Sequence, residues 1–197
     1  MTAPKLGKKI GSGTERVCYE NPANPNTCLK VSKKDHSIQT LREIKYFKYL
    51  QKKKIQASFL PKFYGSYIND KYVILEQEYL RPDSEAETIL LRAYIRRATQ
   101  EDFIQLDQKL QEVKKEIIRL NVIISDIRTG NILLFVNQNR IVTRIVFLDG
   151  FGSPEFIPLP MYCPFFGKLK IERQWKKFMK RYNEEKATRL NLISKGA

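Results

Sequence analysis

The sequence predicts an α+β fold of two lobes, a β-rich N-terminal lobe over residues 1–80 and a reduced, mainly helical C-terminal lobe over 81–197. Three observations support this division. Short β-prone runs broken by Gly, Pro and Asn fill the first lobe. Longer amphipathic helical patterns fill most of the second. Between them, Arg81-Pro82-Asp83-Ser84 has the composition of a linker.

The elements of the N-terminal lobe follow from its turn residues and its periodicity. The predicted elements are a strand near Ile10, strands over 16–20 and 27–32, a helix over about 38–53 and a strand over 71–75. Asp35 or Ser37 is placed to cap the helix. Its predicted apolar stripe consists of Ile38, Leu41, Ile44 and Leu50. Pro61 and Gly65 indicate a break before the last strand.

The C-terminal lobe is predicted to be helical with a small β-ribbon. The predicted elements are helices over 85–97 and 100–120, strands over 132–136 and 142–148, and a basic helix over about 169–186. Helix 100–120 has the clearest apolar stripe: Phe103, Leu106, Leu110, Val113, Ile117 and Leu120. Thr99, with Asp102 three residues later, forms a variant of the capping box at its start.

Composition narrows the classes of function. Lys and Arg number 36 against 21 Asp and Glu, so the formal net charge of +15 favours an anionic partner such as nucleic acid, nucleotide, phosphorylated glycan or an acidic membrane surface. The single histidine, His36, and three cysteines without a CxxC pair disfavour a zinc site and a disulfide framework. Without a long apolar run or a signal peptide, we expect a cytoplasmic protein.

Two fragments of the N-terminal lobe could bind an anion. Gly11-Ser12-Gly13 lies at a strand-to-strand turn, where glycines let the backbone amides approach a phosphate closely. Lys30 on a strand and Glu43 on the next helix could form an ion pair that directs Lys30 at phosphates. Taken singly, the first is more often an ordinary hairpin turn, and in a chain this rich in lysine the second is by default a pair of solvated charges.

Two fragments of the C-terminal lobe could bind metal and carry out acid–base chemistry. In Asp126-Ile127-Arg128-Thr129-Gly130-Asn131, the aspartate could accept a proton from a hydroxyl and the asparagine could offer an oxygen to Mg²⁺. Asp149, in Asp149-Gly150-Phe151-Gly152, ends a very apolar strand, where a carboxylate must be solvated, hydrogen-bonded or metal-bound. Each fragment alone could equally be a polar turn.

In this order the fragments resemble the protein-kinase-like fold and, more narrowly, the bacterial PhoP regulatory network protein (YrbL) family. The resemblance extends over nearly the whole chain. It rests on I-G-S-G-T-E-R-V-C-Y at 10–19, C-L-K-V at 28–31, R-E-I-K-Y at 42–46, L-P-K-F-Y-G at 60–65, D-I-R-T-G-N-I-L at 126–133 and F-L-D-G-F-G at 147–152.

The resemblance implies roles for these residues around ATP and Mg²⁺. It places Gly11, Ser12 and Gly13 over the nucleotide phosphates, with Lys30 contacting them and Glu43 holding Lys30. It makes 76–79, with Glu76, Gln77 and Glu78, the hinge that reaches the adenine edge through backbone groups. It assigns Asp126 as the catalytic base, and Asn131 with Asp149 as the Mg²⁺ ligands.

The resemblance implies a phosphotransferase that acts on a hydroxyl of a small molecule or of an envelope glycan or lipid, in a PhoP-linked envelope response. The His and Arg that usually precede the catalytic Asp are replaced by Ile124 and Ser125, and no Ala-Pro-Glu motif follows Gly152. A docked peptide substrate is therefore disfavoured. The alternative is a non-catalytic, nucleotide-binding regulator of the same fold.

Much of the charge excess lies in 168–181, whose basic residues are Lys168, Lys170, Arg173, Lys176, Lys177, Lys180 and Arg181. Trp175, Phe178, Met179 and Tyr182 form an apolar stripe on the opposite side of the predicted helix. The basic face is either simply solvated or binds a phosphorylated glycan or an anionic membrane, which would place the protein at the periphery of the inner membrane. Nucleic acid is disfavoured, because no nucleic-acid-binding motif accompanies the charge.

Overall fold

The computed structural model of the chain describes residues 3–82, 86–153 and 159–195. These residues form a mixed α+β fold that divides into two compact units. The first unit comprises the chain up to Gln56 together with Pro61–Leu80, and the second comprises Ala57–Leu60 together with the chain from Arg81 onward. Asp83 and Ser84 of the predicted linker lie outside the described residues.

The first unit contains a five-stranded antiparallel sheet with the strand order β1-β2-β3-β5-β4. The strands are β1 (Lys9–Ser12), β2 (Val17–Glu20), β3 (Thr27–Lys33), β4 (Phe63–Ile68) and β5 (Tyr72–Glu78). Helix α1 (Ile38–Lys52) follows β3 after a short 3-10 helix. It packs on the sheet, where the Thr40 hydroxyl hydrogen-bonds that of Ser32 on β3 at 2.6 Å.

Three boundaries of this sheet differ from the sequence prediction. Strand β1 continues through Gly11 and Ser12, so only Gly13 lies in the turn itself. The expected break at Pro61 and Gly65 is instead the start of β4, which accommodates Gly65 at an irregularity in its pairing with β5. Strand β5 extends to Glu78, because its partners β3 and β4 continue beside it.

The buried face and the cap of α1 also differ from the prediction. Ile38 and Leu41 are 72% and 37% exposed, whereas the polar Thr40 and Glu43 are buried because each has a polar partner on the sheet side. The predicted cap is wrong: the Ser37 hydroxyl donates to the carbonyl of Lys34 at 2.8 Å and accepts no helix N–H.

The second unit contains a three-stranded antiparallel sheet and four helices among its described residues. The elements are β6 (Ala86–Leu90), α2 (Leu91–Arg97), α3 (Gln100–Arg119), β7 (Ile132–Asn137), β8 (Val142–Phe147), α4 (Leu159–Tyr162) and α5 (Pro164–Lys195). The capping box of α3 is confirmed, with Thr99 accepting from the backbone of Asp102 and Asp102 accepting from that of Thr99.

The predicted helix over 85–97 is wrong in its first part, because 86–90 pair with β7 as strand β6. This short run has no strong period of its own, so pairing with a neighbouring strand determines its conformation. The last helix begins earlier than predicted, at Pro164, since proline suits the first turn of a helix. Within the residues that the structure describes, no helix has the length and apolar character needed to cross a membrane.

Candidate functional site

Neither backbone conformation nor packing among the described residues requires glycine at positions 11 and 13 of the hairpin in the first unit. Among the described residues, positive φ angles occur at glycine only at Gly150 and Gly152, so Gly11 and Gly13 do not need the left-handed conformation. A Cβ on Gly11 would meet no atom within 4 Å, and one on Gly13 would meet only the Arg16 carbonyl, at 3.9 Å. These glycines therefore leave open space over the hairpin, as close approach of a ligand requires.

Lys30 lies in the middle of the sheet, on the face that α1 covers. It is paired across the sheet with Cys18 on β2 and with Leu75 on β5. Because alternate residues of a strand share a face, Lys30 points to the same side as Ser32, which touches α1. The fold therefore directs Lys30 to the side on which Glu43 also lies. A Lys30–Glu43 ion pair remains a prediction.

The ion pair that the structure gives for Glu43 is with Arg16, at 2.5 Å and with both side chains almost fully buried. Arg16 immediately precedes β2, so this pair ties the glycine-rich hairpin to α1. Arg16 was not among the predicted site residues. Its partner is 27 residues away, so no local spacing could have indicated the pair.

The three predicted hinge residues lie within β5 and do not follow it. Glu76 accepts hydrogen bonds from Asn21 and Thr27 at 2.9 and 2.8 Å, and Glu78 accepts from the backbone of Lys62 at 3.1 Å. Gln77 is 2% exposed, is paired with Cys28 on β3, and has a buried side-chain oxygen with no hydrogen-bond partner. An unpaired buried acceptor is costly, so Gln77 is the hinge residue best suited to accept a hydrogen bond from a ligand.

In the second unit the two predicted acidic segments are in direct contact. Gly150 has a φ of +85°, and a Cβ there would lie 3.0–3.1 Å from three atoms of Asp126. The backbone of Ser125 donates to the carbonyl of Gly150 at 2.8 Å, and Gly152 donates to Ile123 at 2.9 Å. Asp126 and Asp149 are therefore carried by two segments that lie against each other.

Asn131 belongs to the same cluster. Its carbonyl accepts from the backbone of Leu148, the residue before Asp149, at 2.8 Å, and its backbone N–H donates to the Arg128 carbonyl at 2.9 Å. Asn131 ends a 3-10 turn whose Thr129 hydroxyl donates to Glu185 on α5 at 2.9 Å. The loop from Asp126 to Asn131 is therefore held at Asn131 by the residue after β8 and at Thr129 by α5.

The charges within this acidic cluster are partly compensated. Arg128 donates to Asp126 at 2.6 Å, and both side chains are well exposed. Asp149 accepts from the backbone N–H of Gly150 at 2.7 Å. Arg128 was not among the predicted site residues, although its position two residues after Asp126 could have indicated it. No group of three or more His, Cys, Asp and Glu side chains with metal-binding geometry occurs among the described residues.

Trp175, Phe178 and Tyr182 of the predicted apolar stripe of α5 are buried, whereas Phe165 and Phe166 near the start of the helix are exposed. One predicted basic residue behaves differently from the others. Lys170 is 5% exposed and donates to the hydroxyl of Ser153 at 2.7 Å, just after the Asp149 segment. The remaining basic residues are exposed: Lys168, Arg173, Lys176, Lys177, Lys180 and Arg181.

The described residues form a mixed α+β protein with a glycine-rich hairpin in one unit and, in the other, adjacent segments that carry Asp126, Asn131 and Asp149. The chain belongs to the family described as PhoP regulatory network protein YrbL, whose family model matches residues 6–183. It is similar to the protein described as "Uncharacterized protein YrbL" from Escherichia coli (strain K12), 24% identical over 175 residues that cover 86% of this chain and 82% of that protein. The protein of the same description from Shigella flexneri matches to the same extent.

Proposed function

We propose that the chain has a two-lobed protein-kinase-like fold and is a Mg²⁺-dependent phosphotransferase that moves the γ-phosphate of ATP to a hydroxyl group. The observation that carries this proposal is that the Asp149 segment contacts the Asp126 loop at two places, Gly150 against Asp126 and the Leu148 N–H to the Asn131 carbonyl. A base and two oxygen ligands side by side are what phosphoryl transfer needs.

The residues present fit Mg²⁺-ATP as a ligand. Two carboxylates and an amide oxygen suit Mg²⁺, which prefers few protein ligands and completes its shell with phosphate oxygens and water. Asn131 and Asp149 would hold the ion, which neutralises phosphate charge when bound. In the first unit, the open hairpin glycines and Lys30 suit phosphates, and the unpartnered oxygen of Gln77 suits the amino group of adenine.

Each protein group then has a defined task. Asp126 accepts the proton of the attacking hydroxyl, and Arg128 keeps a positive charge beside that carboxylate. Lys30 and the hairpin amides orient the phosphates, while the buried Arg16–Glu43 pair fixes the hairpin to α1. The rate gain comes from positioning and charge stabilisation.

Transfer from radiolabelled ATP to a panel of hydroxyl acceptors tests this proposal. Asp126→Asn is expected to lower kcat by roughly 10²–10⁴-fold while ATP affinity is retained. Glu112→Gln, which removes an exposed carboxylate of α3, is the charge-matched control and keeps full activity. If the wild type binds ATP and transfers phosphate to no acceptor, the non-catalytic regulator replaces the phosphotransferase.

We propose that the acceptor lies at an anionic membrane surface, on a lipid or envelope glycan. The solvent-facing side of α5 begins with exposed apolar residues: Phe165 at 66%, Phe166 at 46% and Leu169 at 50%. Arg173, Lys176, Lys177 and Lys180 continue the same side over the following turns. An apolar tip followed by a cationic stripe complements a bilayer that carries negative headgroups.

Vesicle flotation tests the membrane proposal. Binding is expected to vesicles containing phosphatidylglycerol and not to pure phosphatidylcholine, and to weaken with salt because each basic residue near the surface contributes about 1 kcal/mol. Lys176→Gln/Lys177→Gln/Lys180→Gln and, separately, Phe165→Ser/Phe166→Ser should each abolish it. The control Lys45→Gln/Lys48→Gln/Lys52→Gln removes the same charge from α1 and should retain binding. If both lysine triples behave alike, the assignment to α5 is wrong.

A further inference from the structure

Two cysteines lie side by side on the face of the first sheet that α1 covers. Cys18 on β2 is paired with Lys30 on β3, and Cys28 precedes Lys30 by two residues on the same strand. Alternate residues share a face, so the two thiols and the Lys30 ammonium point to the same side. Cys28 is paired with Glu20, two residues after Cys18 on β2, so the two thiols are diagonal neighbours on adjacent strands.

The surroundings of Cys18 favour its thiolate. A hydrogen bond from Cys28 lowers the pKa of Cys18 to about 7, with help from the positive charges of Lys30 and Arg16 and against the opposing effect of burial. Two carboxylates belong to the neighbouring elements. Glu20 follows Cys18 by two residues on β2, and Glu43 of α1 is paired with Arg16. Lys30, directly opposite Cys18 on β3, and Arg16, two residues before it, place positive charge beside the thiol.

The environment of Cys28 keeps its own proton in place. The hydrogen bond to Cys18 and burial both raise the pKa of Cys28 well above its usual range. Its sulfur also lies 3.7 Å from the carbonyl of Glu78, a second acceptor for the same S–H. Cys28 is 4% exposed, whereas Cys18 is partly exposed. A reagent in solution therefore reaches the thiolate of the pair and not the protonated thiol.

We propose that Cys18 is a covalent modification site for peroxides and soft electrophiles, with Cys28 as the neighbouring thiol that stabilises its thiolate. With a peroxide, a bond forms between sulfur and one oxygen while the O–O bond breaks. Hydroxide leaves and takes up a proton. Cys18 is oxidised to a sulfenic acid and the peroxide is reduced. With iodoacetamide, an S–C bond forms and iodide leaves.

The pH dependence of iodoacetamide labelling tests the site, with each cysteine followed by peptide mass spectrometry. In the native protein, labelling of Cys18 should be half-maximal near pH 7. In the urea-unfolded chain, it should be half-maximal at about pH 8.5, the value of an ordinary thiol. Cys28 should label only after unfolding, because it is buried. If the midpoint for Cys18 is the same in both states, the proposal is overturned.

Two further experiments test why Cys18, and not another cysteine, is reactive. Cys28→Ala removes the hydrogen-bond donor and should move the native midpoint for Cys18 upward; an unchanged midpoint would contradict the role of Cys28. With the unaltered chain, hydrogen peroxide and dimedone should add the dimedone adduct at Cys18 far more than at Cys163, the partly exposed cysteine of the second unit. Equal labelling of Cys18 and Cys163 would overturn the proposal, and this arm does not depend on a variant that folds.

A last experiment depends on the proposed function. Because Cys18 is the cross-strand neighbour of Lys30, bound Mg²⁺-ATP should slow labelling of Cys18 and leave Cys163 unaffected. A thiol that stays reactive in the presence of Mg²⁺-ATP would contradict nucleotide binding at Lys30 and leave the modification site standing. If Cys18 reacts no faster than an ordinary thiol, the modification site is contradicted and nucleotide binding at Lys30 is not.

Discussion

Gly150 is the single residue on which the geometry of the acidic cluster depends most directly. Its positive φ costs a residue with a Cβ about 1–3 kcal/mol. The added carbon would also press on the backbone of Asp126 at 3.0 Å. Gly150→Ala should therefore destabilise the second unit by about 1–3 kcal/mol or more. It should also reduce the proposed phosphotransfer.

Denaturant unfolding followed by the fluorescence of Trp175, the single tryptophan and a buried residue of the second unit, measures this effect. Gly65→Ala is the matched control, because a Cβ there meets no atom within 4 Å and its φ is not positive. The control should stay within about 0.5 kcal/mol of wild type. Equal losses for the two variants would show that Gly150 does not hold the cluster.

The Arg16–Glu43 pair supports the first unit in a comparable way. Breaking a buried ion pair by removing one partner is strongly destabilising, so Glu43→Ala should cost about 3–5 kcal/mol. Hydrogen exchange of α1 amides measures the loss. The double variant Arg16→Met/Glu43→Leu should be more stable than Glu43→Ala, because it replaces both buried charges with apolar side chains. A cost below about 1 kcal/mol for Glu43→Ala would mean that the pair is effectively solvated.

Residue by residue, the sequence predicted what depends on local order and missed what depends on contact across the chain. Asp126, Asn131 and Asp149 were predicted from their types and spacing, and the structure brings their segments together. Arg16 was missed, and Lys170 was expected on the basic face but is buried, because their partners Glu43 and Ser153 are distant in sequence. The proposed pairing of Lys30 stays a prediction.

At the scale of elements, α3 shows how a cap can make stability depend on pH. Burial opposes ionisation of Asp102. Hydrogen bonds from Arg140 and Thr99 outweigh it and hold the pKa of Asp102 below its usual range. A carboxylate with a lowered pKa contributes stability above its unfolded pKa and loses that contribution as the pH falls through the folded value.

Asp102→Asn should therefore cost about 1–2 kcal/mol near neutral pH, by weakening the capping box and the contact with Arg140. The difference from wild type should shrink as the pH falls below about 4. Urea unfolding of both proteins across this pH range, read from Trp175, gives the comparison. A difference that persists unchanged at low pH would assign the effect to packing and not to charge.

Elements were predictable where one periodicity dominated. The stripe and the capping box of α3 are both local, and both appear in the structure. The run 86–90 has no such signal, and its pairing with β7, more than 40 residues later, makes it a strand. In α1, Ile44 and Leu50 of the predicted stripe are buried. Ile38 and Leu41 are exposed instead, and the polar Thr40 and Glu43 are buried.

At the scale of the whole molecule, each unit carries part of the machinery that the proposed function needs. The first has the open hairpin glycines, Lys30 and the unpartnered oxygen of Gln77. The second has Asp126, Asn131 and Asp149. Under the proposed function, a variant of either set of residues should weaken binding of Mg²⁺-ATP.

Calorimetric titration with ATP, in the presence and absence of Mg²⁺, tests that expectation most directly. Under the proposed function, the wild type should bind ATP saturably, and Mg²⁺ should strengthen this binding. Asp149→Asn should lose the Mg²⁺-dependent part, Lys30→Gln should weaken binding throughout, and the Glu112→Gln control should match the wild type. No heat of binding at millimolar Mg²⁺-ATP, or binding that neither Asp149→Asn nor Lys30→Gln alters, would contradict it.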